Sequence, residues 1–478
     1  MTDTTRRTAD SRWLALVVLC AGMLMIVLDQ TIVNVALPAI QADLGFSQAG
    51  LAWIVNAYLI AFGGLLLLAG RLGDLIGHKR VFVIGLVGFT VASLLCGLST
   101  TPELLIGARF VQGVGGALST AVTLGMIVKM FPEPKEQAKA IGVFSFVAAA
   151  GASIGLLLGG VLTQALTWHW IFFVNVPIGV VAVLFALRLI RTEPGIGLGE
   201  GADILGALLV TGAVMLGVFT IVGSESGGNP LVQGVIAVAL LVGFVVRQAT
   251  AANPLLPLRV FRSRNVTGAN AVQVLMVAGM FGMFFLGTLY MQFVLHYDAL
   301  RIGLAFLPVA VSIGTLSVGF SARLNARFGE RTVLLFGLGL VFVGLLLFMR
   351  APVDGTYLEH LLPVMLPLGI GVGLSFPALM TLAMSGATPS DAGLASGLVN
   401  TTAQVGGALG LAVLATTSTS RTSTLLAQGV PTAQALTSGF HLAFGIAAGL
   451  VALALVVAVT VVRPVAVTAD APRPMAFH

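Results

Sequence analysis

The chain has 478 residues, of which 58% are apolar and only 9% charged, with a formal net charge of +6; an ordinary soluble domain carries roughly 25% charged residues. That balance and a mean hydropathy of +1.05 exclude a soluble globular fold and identify an integral membrane protein. The two cysteines, Cys20 and Cys96, fall inside apolar runs, so neither a disulfide framework nor a metal cluster can be argued from them.

A bilayer core about 30 Å thick takes about 20 apolar residues per helix. Fourteen apolar runs, separated by short polar or glycine/proline breaks, predict spans at 13–37, 51–70, 80–98, 103–128, 137–163, 169–189, 203–222, 231–248, 265–292, 302–322, 331–349, 358–382, 391–418 and 438–462. With the N-terminus inside, twenty of the 24 Lys and Arg residues fall on the cytoplasmic side and three (Arg301, Arg350 and Arg421) outside, leaving Arg109 within a span. This is the positive-inside rule. It predicts a multi-pass membrane protein with both termini cytoplasmic. The positive charge then belongs to loops facing anionic lipid, and nucleic acid is not an expected partner.

Span 1 contains "LDQTIVNVALP", Leu28 to Pro38. A charge near the bilayer centre costs roughly 2.5–3.5 kcal/mol on insertion scales, so it faces a cavity or a partner. Asp29 lies about 16 residues, or about 24 Å, from the inner face, and Arg109 of span 4 lies about 6 residues, or about 9 Å, below the outer face. The two share a level and are expected to pair directly or through water. Burial disfavours a charged carboxylate and a nearby guanidinium favours it, so such a site can load a proton on one side and release it on the other. Asp29 is the candidate proton carrier and Arg109 the group that tunes it; the plain alternatives are a helix-register bond for Asp29 and snorkelling for Arg109. Gln30, Asn34 and Gln112 read either as interhelical hydrogen-bond glue or as cavity groups, and Trp53, Asn56 and Tyr58 of span 2 are further cavity candidates.

The turn "GRLGDLIGHKR" after span 2 holds Gly70, Arg71, Gly73, Asp74, Gly77, Lys79 and Arg80. Its basic residues anchor the inner face and its glycines permit a tight bend. Asp74 is left to pair with Arg71 or to cap a helix N-terminus. In span 5, Gly151, Gly155, Gly159 and Gly160 follow the small-residue spacing that lets helix backbones approach closely, and at a seam between moving parts such contacts also let helices rock. Trp168 and Trp170 read as interfacial anchors. The connector "RTEPGIGLGEGAD" leads to spans 7 and 8, and "NPLLPLRVFRSRN" after span 8 is basic and partly amphipathic, as expected of a segment on the inner membrane surface. Span 9 gathers Met280, Met283, Phe284, Tyr290 and Gln292, an adaptable apolar surface suited to varied ligands. Span 13 adds Asn400 and Gln404 and repeats the glycine pattern at Gly406, Gly407 and Gly410. The tail after Arg463 is expected to be disordered.

An internal repeat joins these features. "ARLNARFGERT", Ala322 to Thr332, closes the turn after span 10, and an offset of 252 residues aligns Arg71 with Arg323, Gly77 with Gly329, Lys79 with Arg331 and Gly155 with Gly407. Two six-helix halves follow, 1–194 and 250–478, with spans 7 and 8 inserted between them at 195–249. Transporters built from repeats bind substrate where the halves meet.

Taken in order, "LDQTIVNVALP", "GRLGDLIGHKR", "RFVQGVGGA", "GASIGLLLGG", "WHWIFFVNVPIG" and "SGLVNTTAQVGGALGLAVL" resemble the signature motifs of the 14-helix drug:proton antiporters of the major facilitator superfamily, over essentially the whole chain. The resemblance implies an all-α membrane fold of two six-helix bundles plus two inserted helices. It also implies export of lipophilic compounds driven by returning protons, and a cytoplasmic latch at Gly70 to Arg80 that stabilises the outward-facing state. Leu156 stands where the family's antiporter motif usually has proline, which should soften the kink of span 5, and His169 stands where arginine is common. No G-x-x-x-x-G-K-S/T phosphate loop is present, so a built-in ATPase is disfavoured; what the resemblance implies is protons as the coupling ion, with no cofactor or metal and no enzymatic role. The expected partners are lipophilic small molecules and membrane lipids, around a monomer. A single deep carboxylate favours neutral or singly charged cargo. A transporter dedicated to one metabolite, or a membrane scaffold, are the alternatives.

Overall fold

The structure, a computed structural model, describes residues 2–192, 194–195, 197, 203–222, 229–385 and 392–464; most of the connector before span 7 and the tail after residue 464 lie outside them. Every regular element among the described residues is helical, and each expected span has its helix: α1 Thr2–Leu44, α2 Gln48–Ile76, α3 His78–Gly97, α4 Pro102–Met130 and α5 Pro134–Ala165. α6 runs as Trp170–Phe173 and Asn175–Leu189, interrupted at Val174, and the inserted pair are α7, Ile204–Val222, and α8, Pro230–Thr250. A 3-10 turn, Leu258–Arg262, leads into α9, Arg264–Phe293. α10, Ala299–Thr315, passes through a π-helical Leu316–Phe320 into Ser321–Phe328; α11 is Glu330–Phe348; α12, Leu362–Met384, is entered through a π-helical Tyr357–Leu361; α13 is Ala392–Ala427 and α14 Thr432–Thr460. Twelve of these are long and apolar enough to cross a membrane by length and composition, while the described apolar stretches of α5 and α10 are shorter.

Local chemistry sets the breaks. Ser47, Thr101, Asn229, Ser263 and Asp298 each accept a backbone N–H of the turn they open, and Pro102, Pro134 and Pro230 occupy first-turn positions that lack a helical N–H partner anyway. α1 continues through Pro38 to Leu44, beyond the expected end at 37, because the chain stays helical until Gly45 turns it at φ 70°. α5 runs through Leu156 as one helix.

Within the first half α1 packs on α5, and α4 on α2 and α3; within the second α9 packs on α13 and α14, and α11 on α12. The halves meet along two seams, α2 with α13 and α5 with α10. α7 lies against α2 and α13, and α8 mainly against α7. Only 11% of the apolar stretch of α8 is buried against 78% for α2 and α9, so α8 is the outermost helix.

The two repeated turns share one geometry. Gly77 (φ 99°) and Gly329 (φ 80°) each end one helix and open the next, a conformation in which a Cβ is strained. Lys79 Nζ donates to Leu187 O near the end of α6 at 2.8 Å, and Arg331 Nη2 donates to Val459 O near the end of α14 at 2.5 Å. A cation on terminal helix carbonyls is favourable, and here it closes each half by tying its third helix to its last. These turns and their basic residues form the basic end of the molecule.

Candidate functional site

Five helices converge on Asp29, whose side chain is 0% exposed. Its Oδ2 accepts from Arg109 Nη1 of α4 at 2.5 Å; its Oδ1 accepts from Gln112 Nε2 of α4 at 2.8 Å and from Asn175 Nδ2 of α6 at 3.0 Å. Arg109, 1% exposed, also donates from Nε to Ile54 O of α2 at 3.0 Å and from Nη1 to Gln112 Oε1 at 2.7 Å, with its guanidinium 4.5 Å from the centre of the Tyr58 ring. Gln112 continues the network to Ser93 Oγ of α3 at 2.7 Å, and the Cys96 thiol lies 3.6 Å from Gln112 Oε1. Gln30 Nε2 reaches Tyr58 OH at 3.3 Å. Arg109 is therefore inside the bundle rather than at an interface.

Ionised groups taken out of water lose several kcal/mol each, and the loss is recovered only with close geometry and satisfied lone pairs. Asp29 has both: one cation on one oxygen and two amides on the other. Each of the three bonds to Asp29 crosses between helices, and the Arg109 and Gln112 bonds carry on to α2 and α3, so any change in the carboxylate's charge is felt by α1, α2, α3, α4 and α6. Asn175 is the member that sequence reasoning missed. It lies six residues into span 6, as Arg109 lies six residues into span 4, and both spans start from the same side, so the depth argument that linked Asp29 to Arg109 reaches Asn175 too.

The other residues singled out from sequence divide into groups. Asn56 is fully buried on α2 with neither side-chain atom hydrogen-bonded among the described residues, and Gln404 Oε1 on α13 is likewise without a partner; Gly63 of α2 packs against the Gln404 Cβ, which puts Gln404 at the α2–α13 seam. Asn34 donates to Gln30 O of its own helix. Trp53 lies against Phe219 of α7, ring centres 6.2 Å apart. Met280 and Met283 are buried in α9, Phe284 packs on Phe306 of α10 at 5.3 Å, and Gln292 and Asn400 are half-buried. Tyr290 donates to Pro352 O at 2.6 Å and packs edge-on to Phe348 and Phe440, far along α9 from the basic end. Trp170 is 46% exposed, as an interfacial anchor would be, but Trp168 is 4% exposed and donates to Asp43 at 2.9 Å, which makes it a packing residue.

At the turn after α2, Asp74 meets His78 at 3.6 Å on the surface. Gly73 packs on Val122 of α4, whereas Gly70 is open to a Cβ, and Arg71 and Arg80 flank the turn. The glycines mostly serve their own half. Gly151, Gly155 and Gly159 admit α1, and Gly406 and Gly410 admit α9; Gly160 meets Ala299 and Leu300 of α10, and Gly407 meets Leu59 of α2, across the two seams.

A second buried carboxylate lies just ahead of the apolar stretch Ile204–Ile221 of α7. Asp203, 3% exposed at the start of α7, accepts from Arg247 Nε at 2.9 Å, Gln248 Nε2 at 2.8 Å and the Gly206 N–H at 3.0 Å. Burial alone would push this acid up, but the Arg247, Gly206 and Gln248 donors outweigh it and hold it below the usual carboxylate range. The sequence had suggested no such cluster in spans 7 and 8.

Known proteins resemble this chain closely. The sequence model described as the Major Facilitator Superfamily matches residues 19–411. The puromycin resistance protein of Streptomyces alboniger is 39% identical over 456 residues, 94% of this chain and 90% of its own. The cephamycin export protein of Amycolatopsis lactamdurans is 38% identical over 418 residues, 86% and 85% of the two chains. A solved bacterial homologue of the human lysosomal transporter spinster, in an inward-facing and unoccupied conformation, shares the fold at a TM-score of 0.67 and 15% identity, covering 94% of this chain and 98% of its own. With a family match running from α1 into α13 and relatives aligned over most of both chains, this protein belongs to the major facilitator superfamily of membrane transporters.

Proposed function

We propose that the protein exports lipophilic small molecules, antibiotics among them, from the cytoplasm in exchange for inward-moving protons, as a monomer in the bacterial cytoplasmic membrane with its basic end inside. The observation that carries this reading is the fully buried Asp29, hydrogen-bonded to Arg109, Gln112 and Asn175. The puromycin and cephamycin relatives support the class of cargo.

When Asp29 takes a proton, Arg109 loses its counter-charge and keeps only Ile54 O, Gln112 Oε1 and the Tyr58 ring. The arrangement of α1, α4 and α6 that the ion pair favours is thereby weakened, and the halves rock about the α2–α13 and α5–α10 seams. Loss of the proton on the inner side restores the pair. Each proton moving inward releases about 2.3 kcal/mol per 100 mV. The unpartnered Asn56 and Gln404, the latter at the seam, offer hydrogen bonds to cargo between the methionine- and phenylalanine-rich α9 and the first half. The one deep carboxylate is already matched by Arg109, which favours neutral or singly charged compounds.

Proteoliposomes with an internal pH dye test this. Adding any of several unrelated lipophilic antibiotics should start proton movement. Response to a single compound would favour a transporter dedicated to one metabolite, and response to none would defeat the proposal.

A further inference from the structure

Away from the ion pair, the inserted helices enclose a second feature. A cavity of about 180 Å³ opens beside the α2–α13 seam, walled by Gly64 and Leu67 of α2, Val210 of α7, Phe244 of α8, Leu398 of α13 and Phe261 of the 3-10 turn. Its lining is almost wholly apolar. Of its two threonines, Thr402 donates to Asn270 Oδ1 at 2.9 Å, and the Thr401 hydroxyl has no partner among the described residues.

The floor is built rather than incidental. Gln248, which donates to Asp203, also accepts the Leu256 N–H at 2.9 Å, so one cluster ties the start of α7, the end of α8 and the buried Leu255–Leu256 pair of the connector. Beyond that pair the segment turns outward: Leu258 and Phe261 are each 36% exposed, and Arg259, Arg262 and Arg264 are exposed beside them. The mouth therefore combines an apolar slot with a row of cations at the basic end, next to the most lipid-facing helix.

We propose that this slot holds an acyl chain of an anionic glycerophospholipid, with the headgroup phosphate against Arg262 and Arg264. The volume is well below the roughly 300–1,000 Å³ of sites that enclose a whole drug, but it accepts a stretch of hydrocarbon chain. An amphipathic basic segment rests at the interface with its apolar residues inserted, and cations there select anionic lipid. Because α2 and α13 belong to different halves, the lipid bridges the seam. The site is separate from the Asp29 network and stands or falls independently of proton coupling.

Native mass spectrometry of the full-length protein, with added phosphatidylglycerol or phosphatidylcholine of identical chains, reads this directly. Phosphatidylglycerol should be retained about tenfold more strongly, and the double variant Arg262→Gln/Arg264→Gln should abolish most of that preference. Val210→Trp, which fills the slot, should lower retention of the lipid by about tenfold; if the tryptophan variant does not fold, Phe261→Ala, which removes an apolar wall from the mouth, should lower retention in the same direction. Equal retention of the two lipids by the native chain overturns the proposal. So does loss only in the arginine variant, which would mean headgroup binding at the surface, or loss only in the slot variants, which would mean an uncharged occupant.

Discussion

The turn after α2 bends at Gly77 and sends Lys79 to the end of α6; the turn after α10 bends at Gly329 and sends Arg331 to the end of α14. The same offset of 252 residues carried into the helices sets Asp29 against Phe281, Arg109 against Leu361 and Gln112 against Val364. In the second half those positions are ordinary packing: Leu361 and Val364 are at most 1% exposed, and Phe281 leans toward Gly407. The halves thus keep one frame and divide the labour. The first carries a buried charge network joining five helices; the second offers an apolar, methionine- and phenylalanine-rich surface and no comparable buried ion pair among the described residues.

That contrast predicts unequal responses to matched substitutions. Arg109→Leu leaves Asp29 buried without its cation and should lower stability by about 3–5 kcal/mol, whereas Leu361→Met at the matching position should cost less than about 1.5 kcal/mol; thermal unfolding in one detergent compares them, and similar losses would erase the distinction. Gly155→Val should follow, since a Cβ there falls on Thr31 Oγ1 and within 2.9 Å of Leu28 O, overpacking of about 1–3 kcal/mol; Gly70→Ala, in open space, is the control. The frame shared by both halves should respond alike: Lys79→Met and Arg331→Met are each expected to cost about 0.3–1 kcal/mol, and a large difference between them would break the symmetry.

The smallest effect is a pH dependence at the Asp203 cluster. Its folded-state value lies below the ordinary Asp value of about 3.9, so its contribution is complete above that value and is lost as pH falls through the lowered one. The stability gap between native protein and Asp203→Asn should stay level between about pH 5 and 8 and close only below about pH 4. A gap that changes near neutrality would point to another titrating group.

All fourteen helices were legible because each is an apolar run closed by a polar, glycine or proline break, and periodicity across 252 residues exposed the repeat. Asp29 and Arg109 stood out as charges in hydrocarbon. What composition could not give was direction. Asn34 turned to its own backbone, Trp53 to α7 and Tyr290 to a loop carbonyl, because a polar or aromatic side chain in a span has several faces to choose from and the sequence does not say which is occupied. Asp203 escaped notice because it sits at a helix start, where an acid is unremarkable, and its partners Arg247 and Gln248 come from the far end of the next helix.

The most direct measurement of the central claim is uphill export from proteoliposomes under an imposed pH gradient, comparing native protein with Asp29→Asn while downhill exchange of the same compound is followed in parallel. The account predicts that the variant loses accumulation and substrate-dependent proton movement yet still exchanges cargo downhill. Undiminished accumulation by Asp29→Asn would contradict it.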